Sequence, residues 1–587
     1  MVWQVYACRY MHVGICMYGL MVWQEMIFAC ALYPRDESFL ALVDAEVRQQ
    51  VRRLATHTSI VIWGGNNENE AALNWYEPSR GQRDLYLTDY VKLYVDTVMP
   101  AIRATDYDRR PAVDTSPSNG LLSVDPYVKR WGVTSTKSKA SAGSWGDIHY
   151  YNYEADCEDA STYPLARFVS EHGFQSFPSM DVYDKVTDQI DWSRESRFSE
   201  FRMRHPDGNA QELAMISRHF RVPPANCTPP AAGQPAHCEQ RRLFASYLYL
   251  TQLQQARCYE TAFTHWRRHR STNANTMGIL YWQLNSIWQG PDWSTIEYDG
   301  RLRLAHHASR RAFAPLLLSA VRSVSARGIA DSGGTPDTVQ GTGGATDAPH
   351  VIDIHLSNDL PYEIEGDLRV ELYRWGDAPA RPVAHAERPA AVGAASSHLV
   401  WRDLDLATLL AQQQPGTMPS AIFARLSFAP RESMPADDRL KPSQVKPGMV
   451  TSGEVNSGQV NSGQVKSGQV KSGPTNDEGG GTPSIAMAWH WLAPFRDVDL
   501  PAATPRVLSV TQLSATSAIV RLSSDATAAF VSVECSAVVG AFSDAGFLLL
   551  AGDAPTSIWF VAQEPFEKKA FETALRVTSL RDTYPVS

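Results

Sequence analysis

The chain has 587 residues, more than one hydrophobic core sustains, because cores stop growing near roughly 250–300 residues, so about three domains are expected. Apolar residues make up 44% and charged residues 20%, an ordinary globular balance, and a formal net charge of −9 argues against nucleic acid or an anionic membrane surface as the main partner. No run of about 18 apolar residues exists, so no membrane-spanning segment is expected.

The first 35 residues are rich in apolar side chains, but Gln4, Arg9, His12 and Glu25 interrupt them, which makes a poor signal peptide. From about residue 18 to about 320, strand-like runs alternate with helical patterns, the mark of an α/β region with a parallel sheet. FLALVDAEVRQQVRRLATH (39–57) spaces its apolar residues at three and four and reads as a helix, and SIVIW (59–63) follows as a buried strand. RPAVD (110–114), GDIHYY (146–151), ARFVSE (166–171) and MGILYWQ (277–283) are further strands. RRLFASYLYLTQLQQARCYETAFTHWRRHR, between the last two, reads as one long helix.

The eight cysteines show no CxxC metal spacing. Cys227 and Cys238, the closest pair, bracket a proline-rich stretch, and a bridge there fits only an oxidising compartment. Asn226-Cys227-Thr228 is a lone glycosylation sequon.

Beyond about residue 324 the character changes. A Gly/Thr/Pro-rich linker covers 324–347. VIDIHLSNDL and DLRVELYRW then alternate with period two, as in an antiparallel sandwich spanning 348–503. The sandwich is interrupted at 431–483 by SGEVNSGQVNSGQVKSGQVKSG and its flanks, a six-residue repeat too polar to bury a core. VLSVTQL, AIVRLSS, AFVSVEC and SIWFVAQ form a second all-β unit over 504–587.

Two segments carry chemistry: Trp63-Gly64-Gly65-Asn66-Asn67-Glu68 and Arg167-Phe168-Val169-Ser170-Glu171-His172. Each places a carboxylate where a buried strand ends and polar residues begin. Glycosidic hydrolysis takes two carboxyl groups, one protonated to assist departure and one ionised. Taken singly, an Asn/Glu-rich loop is a solvated turn as often as a site; both segments, in order, with two strands between them, are a different matter. Sixteen Trp suit the flat faces of neutral sugars, although packing claims most Trp in any protein.

IVIWGGNNENEAALNWY resembles the acid/base strand of the β-mannosidases of glycoside hydrolase family 2, and ARFVSEHGFQSFPS resembles their nucleophile strand. The resemblance implies Glu68 as acid/base with Asn67 beside it, and Glu171 as nucleophile. It makes 1–323 a catalytic (β/α)8 barrel whose C-terminal strand ends form the active face. The fold class is then a multidomain chain, an incomplete barrel followed by two immunoglobulin-like β-sandwich domains. GLMVWQEMIFACALYP (19–34) resembles strand three, WGDIHYYN strand six and YWQLNSIWQGPDWSTIEYDG strand eight. His149 and Tyr150 are expected at the sugar, Tyr150 and Asn67 bonding sugar and nucleophile, with Trp75, Trp282 and Trp288 as pocket walls. The implied reaction is retaining exo-hydrolysis of terminal β-mannose through a covalent glycosyl-enzyme, in a lysosome or another secretory compartment. Glu68 is expected to start protonated and Glu171 ionised. No metal ligand cluster and no cofactor are expected.

The opening MVWQVYACRYMHVGIC departs from the family's strand two: Met1 stands at its Arg, Gln4 at its glycines and Ala7 at its Glu. The expectation is a truncated barrel, open at one edge, with little activity of its own and prone to aggregate. Two other readings stay open: another family 2 β-glycosidase, and a remnant that binds carbohydrate without cleaving it.

Overall fold

A computed structural model describes residues 19–118, 146–227, 239–323, 350–431 and 485–584. The linker, the repeat tract and the altered opening segment lie outside the described residues.

Strand β1 (Val22–Glu25) leads to helix α1 (Glu37–Leu54), then β2 (Ile60–Gly64) and, after a helical stretch, β3 (Ala112–Val113). The three strands pair in parallel in the order β1-β2-β3. Helix α1 starts where the Asp36 side chain accepts from the Phe39 N–H, and its three- and four-residue spacing buries Val43, Val47, Val51 and Leu54. On β2, Ile60 and Trp63 are fully buried, and the Trp63 indole donates to Asp106 at 2.9 Å.

A second parallel sheet runs β4 (Asp147–Tyr150), β5 (Phe168–His172) and β6 (Gly278–Ile279). The expected strands at 110–114 and 277–283 are each reduced to two paired residues. The two sheets are joined: the Asp147 N–H donates to the Ser118 carbonyl at 3.1 Å, and Trp23 of β1 meets Phe168 of β5 with ring centroids 5.9 Å apart. Helix α2 (Gln240–Arg268) is the long helix the sequence predicts. It buries Tyr259, Phe263 and Trp266 completely in the largest core cluster.

A disulfide not anticipated from the sequence ties α2 to the loop after β4, joining Cys157 and Cys258 across 101 residues. Cys227 is also disulfide-bonded; Cys238 lies outside the described residues.

Helix α3 (Leu304–Ala312) packs on α2 and is followed by the first sandwich. Its sheets are β10 (Pro382–Val392), β9 (Ile364–Arg374), β12 (Ile422–Pro430) and β13 (Ala486–Trp491) against β11 (Ser396–Asp405), β8 (Val351–Asn358) and β7 (Leu316–Arg322). Strand β7 corrects the expected boundary: residues 316–322, assigned to the α/β region, pair antiparallel with β8. The LLLSAV run is apolar enough for either reading, and the partner decides. The second sandwich sets β14 (Arg506–Ser514), β15 (Ser517–Ser523), β19 (Thr556–Ala562) and β17 (Gly540–Phe542) over β18 (Phe547–Leu549), β16 (Ala528–Cys535) and β20 (Leu575–Thr578). Trp375, Phe423, Trp491, Phe495 and Phe530 interlock at 4.3–6.3 Å where the units meet, and the Tyr249 hydroxyl of α2 donates to the Phe530 carbonyl. Among the described residues no helix is long and apolar enough to cross a membrane.

Candidate active site

The site forms at the C-terminal ends of the parallel strands. A Cβ on Gly65 would lie 2.5 Å from the Asp114 carbonyl oxygen, so glycine lets the chain after β2 run against the chain after β3. The buried Asn66 amide then fixes the turn. Its nitrogen donates to the Asp114 carbonyl at 2.7 Å, and its oxygen accepts from the Asn69 N–H at 3.0 Å and the Thr115 hydroxyl at 2.7 Å. Glu68 sits at φ 60°, left-handed backbone that costs a residue with a side chain about 1–3 kcal/mol unless its surroundings enforce it. Here the Glu68 N–H donates to the Ser116 carbonyl at 2.8 Å.

Glu171 arrives from β5, opposite His149 in the register of β4 and β5, and is 4% exposed. Ligand atoms of Glu68, His149 and Glu171 converge within 4.8 Å of one another. His149 Nδ1 stands 2.6 Å from Glu68 Oε1 and 3.4 Å from Glu171 Oε2. On its far side Nε2 is 2.9 Å from the Ser116 hydroxyl. Ser116 and Ser170 both donate to Asp147 Oδ2, at 2.7 and 2.5 Å. The Tyr151 hydroxyl donates to Glu171 Oε2 at 2.7 Å, and Glu171 Oε1 keeps no hydrogen-bond partner among the described residues. Such convergence could also hold a cation, but a hydrogen bond already occupies the imidazole nitrogen, and the trio reads as an ion-paired acid/base cluster.

Burial lowers the affinity of His149 for a proton, but Glu171, Glu68 and Asp147 outweigh it and hold the ring's pKa at about 9. Burial raises Glu68, yet the hydrogen bond and charge of His149 more than reverse this, leaving it below its ordinary value. Burial raises Glu171, His149 pulls back and the charge of Glu68 pushes further, for a net upward shift. These opposed shifts favour the ionised form of Glu68 beside a protonated His149, the reverse of the sequence expectation for Glu68.

Other expected residues fall differently. Tyr150 is buried with its hydroxyl on the Thr162 carbonyl, away from Glu171, and it is the Tyr151 hydroxyl that reaches Glu171. His149 shares a hydrogen bond with Glu68 and lies within ion-pair distance of Glu171. The Asn67 amide nitrogen donates to the Cys30 sulfur at 3.7 Å, and its oxygen has no hydrogen-bond partner among the described residues. Trp75 is 41% exposed and meets Tyr76 edge-on. Trp282 is half-buried, its backbone N–H donating to the His172 carbonyl at 2.8 Å. The Trp288 ring lies against Gly290 and under the Arg202 guanidinium, 4.6 Å from its centroid, so much of its surface is already covered. Cys30, at φ 53°, was not anticipated; its thiol donates to Glu68 Oε2 at 3.4 Å.

Over 579 residues the chain is 32% identical to the β-mannosidase of Mus musculus, covering 96% of this chain and 54% of the relative. The chain is similar to β-mannosidases along nearly its whole length. Over 312 residues it is 43% identical to the β-mannosidase of Capra hircus, covering 51% of this chain and 32% of that one. It spans about half the length of the curated relatives it matches. Residues 503–583 match a family model described as the Ig-fold domain of mannosidases. Among solved structures, the fold is shared with the β-D-mannosidase of Dictyoglomus thermophilum at TM-score 0.64 and 21% identity, over 98% of this chain and 55% of that one. It is shared too with an exo-chitosanase of Amycolatopsis orientalis at TM-score 0.53 and 12% identity, over 93% and 54%.

Proposed function

We propose that this chain carries the catalytic pair of a retaining exo-β-mannosidase that releases terminal non-reducing β-mannose from oligosaccharides. The observation that carries the reading is the meeting of Glu68 and Glu171, from separate strand ends, within 4.8 Å in one cluster. A separation of about 5 Å leaves no room for water between sugar and nucleophile and favours a covalent glycosyl-enzyme over inversion. The two parallel sheets are read as arcs of one (β/α)8 barrel, a reading supported by the Asp147–Ser118 bond and the Trp23–Phe168 contact that link them.

Glu171 Oε1, the unpartnered oxygen, attacks the anomeric carbon, while the Tyr151 hydroxyl and His149 balance the charge on Oε2. Glu68 protonates the departing oxygen. Once Glu171 is esterified its charge is gone, and Glu68 takes a proton from the water that releases the sugar. Cleavage of Cys–Cys bridges by cytosolic reductants makes an oxidising compartment, lysosomal or secretory, the setting that suits Cys157–Cys258.

The test is hydrolysis of two β-mannosides, one with an activated aryl leaving group and one with an alkyl group. Glu171→Ala should abolish both, and Glu68→Ala should lose about a hundredfold or more on the alkyl substrate while retaining much of the aryl rate. Equal losses on both substrates for Glu68→Ala would contradict its role.

A further inference from the structure

The acid/base of the proposed reaction must hold a proton when substrate arrives, yet Glu68 is the carboxylate that His149 holds ionised. We propose that His149 is the proton store of the site, a positioning residue that lends its Nδ1 proton to Glu68 across their 2.6 Å hydrogen bond and recovers it after each cycle. This rests on the β-mannosidase reading for its chemistry, and on the geometry of the resting cluster for its starting state.

Groups from every neighbouring element face the ring. Glu68 comes from the loop after β2, Glu171 from β5, Asp147 from β4 itself, and the charge of His149 is felt by the buried Glu25 of β1. All four are acidic side chains, and the imidazole is the basic group that they surround. On the far side, the Ser116 hydroxyl gives its own proton to Asp147, so its lone pair is left to accept the Nε2–H at 2.9 Å. That contact fixes the tautomer: Nε2 keeps its proton, and Nδ1 holds the exchangeable one.

The balance needs no proton from solvent. The resting cluster holds imidazolium, Glu68 carboxylate and Glu171 carboxylate. Moving the Nδ1 proton to Glu68 Oε1 yields a neutral Nε2–H imidazole, a Glu68 carboxylic acid and an ionised Glu171, with the same number of protons. A sugar that displaces water makes an ion pair more costly relative to its neutral form, which drives the transfer. Glu68 then gives that proton to the leaving oxygen as Glu171 bonds the anomeric carbon. In the second half, Glu68 takes a proton from water as the glycosyl bond breaks, and with Glu171 ionised again the proton returns to His149.

The test uses nitrogen NMR of the whole chain with labelled histidine, the His149 signals being assigned by their loss in His149→Gln. In the free chain at about pH 7.5, well above the ordinary histidine pKa, both ring nitrogens should be protonated. Saturation with a sulfur-linked, non-hydrolysable β-mannoside should convert the ring to the neutral Nε2–H tautomer. A neutral ring in the free chain overturns the proposal, as does an imidazolium that persists at saturation. If the thioglycoside does not bind, the β-mannoside reading fails, while the charge of the free ring still decides whether His149 holds the proton. In turnover, His149→Gln should cost about a hundredfold on an alkyl β-mannoside but about threefold or less on an activated aryl one, and should move the alkaline limb of the pH–rate profile. Uniform loss on both substrates with an unmoved pH profile would mark a structural role and contradict the store.

Discussion

Tyr151→Phe removes one oxygen from a half-buried ring and leaves the rest of its packing in place. That oxygen donates to Glu171 Oε2 at 2.7 Å, in a site where the carboxylate is 4% exposed. A hydrogen bond to a charged group contributes about 1.5–3 kcal/mol, and each 1.4 kcal/mol is a factor of ten, so kcat/KM for a β-mannoside should fall by roughly ten- to a hundredfold. The proton affinity of Glu171, already raised by burial, should rise further, and the acidic limb of the pH–rate profile should move to higher pH. Tyr150→Phe is the matched control one residue away. Its hydroxyl ends on the Thr162 carbonyl, so it should cost about 1 kcal/mol of stability and change kcat/KM by about twofold or less. The assay is steady-state hydrolysis of an aryl β-mannoside across pH, with denaturant unfolding of each variant. A Tyr150→Phe loss as large as that of Tyr151→Phe, with the limb unmoved in both, would refute the assignment of the two tyrosines.

Alkaline conditions should unfold the protein from its active site outward. The pKa of His149 rises from the ordinary 6.5 to about 9, so its contribution, about 3 kcal/mol at 1.36 kcal/mol per unit, is complete below about pH 6 and lost as pH climbs through 9. Glu25 and Glu212, each pushed up to about 8 by burial, lose stability in the same direction, so the thermal midpoint should fall between about pH 6 and 9 and His149→Gln should flatten that slope. Breaking the Cys157–Cys258 bridge with Cys258→Ala frees a loop of 101 residues and should cost about 4 kcal/mol, read as a lower denaturant midpoint; an unchanged midpoint would mean that packing of α2 alone holds that loop.

Where burial and periodicity agree, the fold was legible. Helix α1, the long α2 and the β-branched strand at 60–64 all stand where apolar spacing predicts. The short strands β3 and β6 were overestimated, because an apolar run does not say how many of its residues find a partner. The β7 boundary failed for the same reason. At the site, the two glutamates could be singled out by type and position, but what surrounds them could not. The alternation of side chains along β4 does carry the missing signal: His149 and Tyr151 are two apart and share a face, so an expectation that put His149 at the site should have brought Tyr151 with it and sent Tyr150 to the other side. The Ser116, Asp147 and Cys30 contacts come from three different segments, and only folding reveals that they share one cluster. The bridge at Cys157 was hidden by its 101-residue separation, while the shorter Cys227–Cys238 spacing drew attention.

The proposed reaction turns on Glu171 forming a glycosyl ester while Glu68 serves it as acid and base. A β-mannosyl fluoride carrying fluorine at C2 slows release of the sugar more than its attachment, so incubation of the whole chain followed by proteolysis and mass spectrometry reads the attachment point directly. One fluoromannosyl adduct is expected on the peptide containing Ser170-Glu171-His172, present in Glu68→Gln and absent from Glu171→Gln. An adduct on Glu68, or hydrolysis of β-mannosides with no covalent adduct at any glutamate, would contradict it.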